Sequence, residues 1–151
     1  MPKRTMPRIA AVAPGREPLT LRVTWEHGGE NAVDVSGLID TFRVYTPLRD
    51  NRALFGQVRV GDYGTDVVWT DAIDMAADTL WRLAQEQSGE TLTAEDFRAW
   101  RERKAYTLDT AAKALGLSRR MVAYYERGER PIPRTVTLAT RALETDAERA
   151  T

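Results

Sequence analysis

The sequence of 151 residues contains no cysteine and a single histidine, His27. Without cysteine, no disulfide scaffold and no thiolate metal site can form, and this composition agrees with a reducing compartment. No stretch is apolar over the roughly 20 residues that a membrane helix needs, and the basic residues 1–8 are not followed by a signal-peptide core. We therefore expect a cytoplasmic protein that has no membrane partner.

The groups that most enzymes use are also scarce. His27 falls in a predicted turn, and one histidine cannot build a histidine-rich metal site. Four aspartates form an acidic stretch, but it lacks the glycine and glutamate placement of a calcium loop, so we expect turn and capping roles: Asp62, Asp66, Asp71 and Asp74. The sequence predicts no catalytic residue, no cofactor and no metal. An enzyme in the N-terminal part stays a minor alternative, which a pocket lined by groups of perturbed pKa would favour.

Net charge is absent as well, because 22 basic residues balance 22 acidic ones. The charges are nevertheless unevenly distributed. Residues 97–134 hold ten Lys and Arg against four Asp and Glu, whereas residues 1–90 hold ten against thirteen. A basic segment of this kind is typical of a nucleic-acid-binding surface.

That basic segment contains a pattern of two short helices joined by a glycine. Thr107 can cap a first helix, Gly116 can end it in a left-handed conformation, and Ser118 can cap a second helix that ends near Gly128. In the second helix Val122 and Tyr125 are spaced to point inward. The outward side is then formed by Ser118, Arg119, Arg120, Ala123 and Tyr124.

The segments 112–118 and 125–128, with Val122 between them, resemble the Cro and lambda-repressor-like (XRE-type) helix-turn-helix family. The resemblance implies an all-α domain of four or five helices. The chain can supply them with a helix over residues 93–103, capped by Thr93 and Asp96, and another over 134–144. The core would be closed by Phe97, Trp100, Val136, Ala139 and Leu143.

The family resemblance also implies residue roles. Base-facing positions fall on Arg119, Arg120 and Tyr124, where an arginine could bind guanine with two donors. Phosphate-facing positions fall on Thr107, Ser118, Arg127, Arg130 and Arg134. A structural ion pair is implied between Arg101 and Glu126. The chain departs from the family at Leu108, where glutamine is common, and at Ala105, where glycine is common. A helical hairpin that only packs remains an alternative.

The N-terminal part follows a different periodicity. Residues 19–25 alternate apolar and polar side chains, residues 26–29 suit a hairpin turn, and residues 32–35 suit the returning strand. Strand patterns recur at 54–60 and 66–70, and helical spacing with Leu80, Leu83 and Ala84 on one face follows over 75–87. Trp25 and Trp69 are expected in the core. These patterns predict a small antiparallel sheet that carries a helix.

Short segments of this part resemble the domain-of-unknown-function 2442 family: 23–28, 34–36, 48–50 with 54–55, and 68–71. Some members of that family carry a helix-turn-helix behind this domain, and the order here agrees with that arrangement. The predicted fold class is α+β: a small antiparallel-sheet domain with a helix over residues 8–88, then an all-α helix-turn-helix domain over 91–146. The polar joint falls near residues 85–90.

The sequence as a whole predicts a protein that binds double-stranded DNA in a sequence-specific manner. We interpret it as a bacterial transcriptional regulator. We expect a homodimer, because two recognition helices related by a two-fold axis read more bases than one. Both family resemblances allow an antitoxin-like repressor with a protein partner. The alternative is a protein-interaction adaptor that no longer binds DNA, for which Leu108 is the best argument.

Overall fold

The structure, a computed structural model, describes the backbone of residues 6–150 and the side chains of residues 6–145. The chain divides into two compact units, one that ends at Gln87 and one that begins at Ser88. The first combines antiparallel strands with helices and the second contains only helices, so the predicted α+β class is confirmed. We call them the sheet unit and the helical unit. Among the described residues, no helix is both long enough and apolar enough to span a membrane.

The first sheet of the sheet unit contains three antiparallel strands in sequential order, β1 (Ile9–Pro14), β2 (Thr20–Trp25) and β3 (Glu30–Asp34). The predicted period-two alternation places Leu21, Val23 and Trp25 in the core. Between β2 and β3, Gly28 and Gly29 have φ values of 106° and 90°, which a glycine adopts without steric cost. The predicted hairpin is therefore present.

The second sheet is also antiparallel and sequential, with β4 (Arg59–Val60), β5 (Asp66–Thr70) and β6 (Ile73–Ala76). A backbone hydrogen bond connects it to the first sheet: the Ile9 amide donates to the carbonyl of Gly64, between β4 and β5, at 2.7 Å. Trp69 is buried on β5, and its indole N–H donates to the Phe55 carbonyl at 3.0 Å. Both predicted core tryptophans, Trp25 and Trp69, are thus confirmed.

Between the two sheets the chain forms α1 (Ser36–Thr41), a 3₁₀-helix (Arg43–Leu48) and α2 (Arg52–Phe55). The strand predicted over residues 54–60 is wrong except at its last two residues. The side chain of Asn51 accepts from the Leu54 amide at 3.0 Å, and this cap starts a helical turn where the apolar pair Leu54 and Phe55 suggested a strand. Only Arg59–Val60 is extended.

Helix α3 (Ala77–Gln87) follows β6 directly. The prediction began this helix at residue 75, but the side chains of Ile73 and Met75 alternate inward on a strand before the helix starts. Leu80 and Ala84 are buried and Leu83 is partly buried, as predicted. At the end of α3, the Gln87 side chain exchanges two hydrogen bonds of 2.8 Å with the Asp34 backbone, which fixes the helix against β3.

The helical unit contains α4 (Ala94–Arg103), α5 (Leu108–Leu115), α6 (Arg119–Glu126) and α7 (Arg134–Ala150). Thr93 caps α4 as predicted, accepting from the Asp96 amide at 3.1 Å. Helix α7 does not end at the predicted Glu144, because no glycine or proline interrupts residues 145–150. The buried core of this unit consists of Phe97, Trp100, Ala111, Ala112, Val122, Tyr125, Ile132 and Val136. Of the other predicted core residues, Leu143 packs against this cluster and Ala139 is half-buried.

Candidate nucleic-acid interface

Helices α5 and α6 form the predicted helix-turn-helix through local capping. The Thr107 hydroxyl accepts from the Thr110 amide at 3.1 Å, and the Thr110 hydroxyl accepts from the Thr107 amide at 2.8 Å. Gly116 ends α5 with a φ of 70°, in the left-handed region that favours a residue without Cβ. Ser118 then caps α6 by accepting from the Met121 amide at 3.1 Å. These contacts fix the length of both helices and of the turn between them.

The buried residues of α5 and α6 determine which side of α6 faces the solvent. Ala111 and Ala112 on α5 and Val122 and Tyr125 on α6 are buried. Burial raises the pKa of the Tyr125 phenol, although the positive charge of Arg130 opposes that rise. Because α6 is anchored along one side, its opposite side is presented to solvent.

A polar contact with α4 also holds α6. Arg101 Nε lies 2.6 Å from Glu126 Oε1, and the Glu126 side chain is only 7% exposed. Arg101 also donates to the Tyr106 carbonyl at 2.9 Å, and Arg98 donates to the Glu126 carbonyl at 3.3 Å. The residues of the predicted ion pair are thus in direct contact, linking the end of α6 to α4.

Arg119 and Arg120 begin the outward side of α6, and both are exposed. Arg119 Nε is 3.8 Å from Asp109 Oδ1, but both side chains are about two-thirds exposed, at 65% and 66%, so this pair restrains the arginine only weakly. Arg119 therefore presents an accessible guanidinium group at the amino end of α6.

Tyr124 lies on the same side and contacts three arginines. The guanidinium carbons of Arg120, Arg127 and Arg130 lie 5.3, 5.7 and 5.5 Å from the centre of its ring. Arg120 also donates through Nε to the Tyr124 hydroxyl. We call Tyr124 with these three residues the arginine cluster. Sequence reasoning placed its members on one surface but missed that they contact each other.

The predicted phosphate-facing residues fall into two groups. Thr107 and Ser118 are exposed, but their hydroxyls accept amide hydrogens at the starts of α5 and α6. Arg127, Arg130 and Arg134 are exposed and keep donors available. Arg127 is 3.2 Å from Glu129, and Arg134 is 3.2 Å from Glu90. These solvated pairs would exchange for phosphates at little cost, since exposed ion pairs contribute about 0–1 kcal/mol.

The two departures from the family pattern have structural explanations. Leu108 is half-buried and packs against the core of the helical unit, where an apolar side chain is favoured. Ala105 has a φ of 56°, in the left-handed region that favours glycine. The turn that brings α4 into α5 thus keeps its backbone conformation although it contains alanine.

The acidic stretch of the sheet unit lines a polar cavity of about 290 Å³. Partial burial raises the pKa of Asp66 above its ordinary value, and the charges of Asp74 and Asp62 raise it further, against an opposing effect of Arg59. Asp71 also borders this cavity. Among the residues whose side chains are described, no group of three or more His, Cys, Asp or Glu is arranged to hold a metal ion.

The predicted turn histidine, His27, is exposed and lies beside two tryptophan rings. Its ring centre is 5.2 Å from that of Trp81 and 6.4 Å from that of Trp25. This arrangement extends the aromatic core of the sheet unit to the surface.

Comparison with known proteins places this geometry in a family. Residues 94–151 match a family of helix-turn-helix domains. The chain is also similar to a solved crystal structure, that of a candidate DNA-binding protein from Nitrosomonas europaea ATCC 19718. The two are 35% identical with a TM-score of 0.56, and the match covers 95% of this chain and 90% of that chain. The chain belongs to the family of that protein. Because the match covers nearly the whole chain, the family includes the sheet unit as well as the helix-turn-helix domain. No curated protein matches the chain.

Proposed function

We propose that the protein binds double-stranded DNA in a sequence-specific manner and acts as a transcriptional regulator. The observation that carries this proposal is the exposed, arginine-rich side of α6 in a helix-turn-helix whose opposite side is buried. Membership of a family that includes a candidate DNA-binding protein supports it. A helix of this size fits the major groove of B-form DNA, with its amino-terminal residues closest to the bases.

Arg119 and Arg120 are the proposed base-reading residues. Each can place two donors on the O6 and N7 atoms of guanine, which is worth about 1–3 kcal/mol of discrimination per pair. We therefore expect guanine in the preferred site. Tyr124 belongs to the same outward side, and Thr107, Ser118, Arg127, Arg130 and Arg134 are the proposed phosphate contacts at its margins.

Several finer assignments accompany this proposal. The helical unit is assigned to the lambda-repressor-like, XRE-type group, and the sheet unit to the domain-of-unknown-function 2442 group. The sheet unit would mediate dimerisation or sense a protein partner, so that two copies of α6 read half-sites about one helical turn apart. An antitoxin-like repressor is one regulator of this form.

The proposal is tested by selecting bound sequences from a random DNA pool. The native protein is compared with an Arg119→Ala, Arg120→Ala double variant at near-physiological salt. An Arg16→Ala, Arg22→Ala variant is the matched control, because it removes two exposed arginines from the sheet unit. We expect the native protein and the control to enrich the same guanine-containing motif, and the α6 variant to lose it.

Failure of the native protein to enrich any sequence would contradict the proposal and favour the protein-interaction adaptor. A palindromic motif would support the dimer, since a two-fold protein reads a two-fold site. Binding to the selected duplex should also weaken steeply with salt, because each neutralised phosphate releases condensed counterions.

A further inference from the structure

Three cationic side chains share one aromatic ring on the outward side of α6. The guanidinium carbons of Arg120, Arg127 and Arg130 all lie within 5.7 Å of the centre of the Tyr124 ring. A ring attracts a cation to its face through its quadrupole, and this attraction strengthens where water is partly excluded. Tyr124 is itself half-buried, whereas the three arginines around it are exposed.

The local fold explains why all three arginines reach the same ring. Arg120 precedes Tyr124 by four residues and Arg127 follows it by three, so both are its neighbours on the helix surface. Gly128 then turns the chain with a φ of 71°, and the Glu129 amide donates to the Tyr124 carbonyl at 3.0 Å. This return brings Arg130 back over the end of α6.

The cluster is not neutralised within the protein. Among the described side chains, the only carboxylate within ion-pairing distance of these three guanidinium groups is that of Glu129, 3.2 Å from Arg127. Three positive charges held together against their mutual repulsion favour an anionic partner. The chemistry that fits is that of DNA: its phosphodiester backbone offers repeated single negative charges to Arg127 and Arg130, and Arg120 lies towards the bases.

We propose that Tyr124 is a positioning residue that acts on DNA through the three arginines and does not itself read a base. Free arginine side chains lose rotamer freedom when they bind, and this loss weakens association. Contact with the ring imposes part of that order before DNA arrives. This proposal rests on the proposed function, and it replaces the expectation that Tyr124 is base-facing.

The test compares three substitutions of Tyr124 by affinity for a random-sequence duplex, where only backbone contacts contribute. Tyr124→Phe keeps the ring but loses the hydroxyl, Tyr124→Trp offers a stronger cation–π surface, and Tyr124→Leu removes the ring. We expect Tyr124→Leu to weaken binding about tenfold, because three arginine side chains must then become ordered on binding. The affinities of Tyr124→Phe and Tyr124→Trp should stay within about threefold of that of the native protein. Tyr63→Leu is the matched control, because Tyr63 is 77% exposed on the sheet unit.

Two further readouts separate positioning from simple loss of fold. In the free protein, the side-chain proton resonances of the three arginines should move towards random-coil positions in Tyr124→Leu and keep their ring-current shifts in Tyr124→Phe. The salt dependence of binding should hardly change in Tyr124→Leu, since all three arginines remain. It should fall by about 0.9 per arginine in an Arg127→Ala, Arg130→Ala variant, because these two arginines are the proposed phosphate contacts of the cluster.

The outcomes distinguish this inference from the proposed function. If the native protein binds no duplex, the proposed function fails. If it binds and Tyr124→Leu matches it on the random-sequence duplex, the positioning role is overturned. A third outcome is that Tyr124→Phe and Tyr124→Leu both lose the preference for one base of the site and bind the random-sequence duplex as tightly as the native protein. This outcome would instead make Tyr124 a base-reading residue.

Discussion

The two units of the chain carry opposite kinds of charged surface. In the sheet unit, aspartates line one polar cavity, whereas in the helical unit three guanidinium groups surround one tyrosine. The segments 1–90 and 97–134 have the same number of basic residues, ten, but thirteen and four acidic ones. Basic residues are therefore more than twice as dense in segment 97–134 as in segment 1–90, acidic residues are somewhat sparser there, and the balanced total charge conceals this difference.

The units also differ in how they are held together. In the sheet unit, a backbone hydrogen bond between Ile9 and Gly64 connects the two sheets around the apolar core. The helical unit depends on short capped helices and on the contact of Arg101 with Glu126. A change to one of these features should therefore act on one unit and leave the other intact, and four substitutions examine this expectation.

The largest effect is expected from the ion pair of the helical unit. Glu126→Ala should destabilise this unit by about 3 kcal/mol, because the charge of the partly buried Arg101 is left without a carboxylate and keeps only its bond to the Tyr106 carbonyl. Glu144→Ala is the matched control: its pair with Arg103 has the same 2.6 Å distance, but the side chains are 59% and 40% exposed. We expect a loss of less than about 1 kcal/mol in the control. Urea unfolding followed by circular dichroism measures both, and equal losses would contradict the account.

The next largest loss of stability is expected where Gly64 contacts Ile9 between the two sheets. A Cβ on Gly64 would lie 2.8 Å from the Ile9 carbonyl oxygen, at a φ of 69°. Gly64→Ala should cost the sheet unit about 2–3 kcal/mol, of which left-handed strain accounts for about 1–2 kcal/mol. Gly116→Ala, at a φ of 70° and with no atom within 4 Å of the added Cβ, carries the same strain in the helical unit and isolates it. Equal losses in the two variants would show that the Ile9 contact contributes nothing.

A smaller effect of opposite sign is expected at Ala105. Ala105→Gly should stabilise the helical unit by about 1 kcal/mol, because the left-handed strain at this residue is relieved while the unfolded chain gains some freedom. Gly116→Ala is the reverse experiment at the end of α5 and should destabilise by a similar amount. Thermal unfolding measures both changes. A lower melting temperature for Ala105→Gly would contradict this explanation.

The smallest effect concerns the pH dependence of the sheet unit. Because burial and then Asp74 raise the pKa of Asp66, folding favours the protonated carboxyl. The stability from this group is fully present below the unfolded pKa of about 4 and is lost as pH rises through the raised folded pKa. Asp66→Asn should flatten this dependence and stabilise the unit slightly at neutral pH. Asp71→Asn, at the same cavity, is the control in urea unfolding at several pH values. A steeper dependence in Asp66→Asn would contradict the sign.

The helical unit could be predicted from sequence because its signals are local. Thr107, Gly116 and Ser118 mark helix ends within a few residues of the groups that they satisfy. The contact of Arg101 with Glu126 spans 25 residues, and only the family resemblance indicated it. The helical spacing of Arg120, Tyr124 and Arg127 predicts that these three residues of the arginine cluster are neighbours. Its remaining member, Arg130, depends on the turn at Gly128.

The sheet unit was less predictable because its strands are defined by their partners. Strand β1 was missed because its side chains are mostly exposed or half-buried and give no apolar alternation. Strand β6 was merged with α3, since Met75 fits both a strand and the helical spacing that follows. The predicted strand at 54–60 was partly wrong because the Asn51 cap is a stronger local signal than the apolar pair after it.

The most direct test of the central claim is a titration of the isotope-labelled full chain with its selected duplex, followed through backbone amide resonances. The account predicts that the largest shifts fall on residues 118–130, with small shifts in β1, β2 and β3. Dominant shifts in the sheet unit, or shifts on the buried side of α4 with none on α6, would contradict the claim that the outward side of α6 meets the DNA.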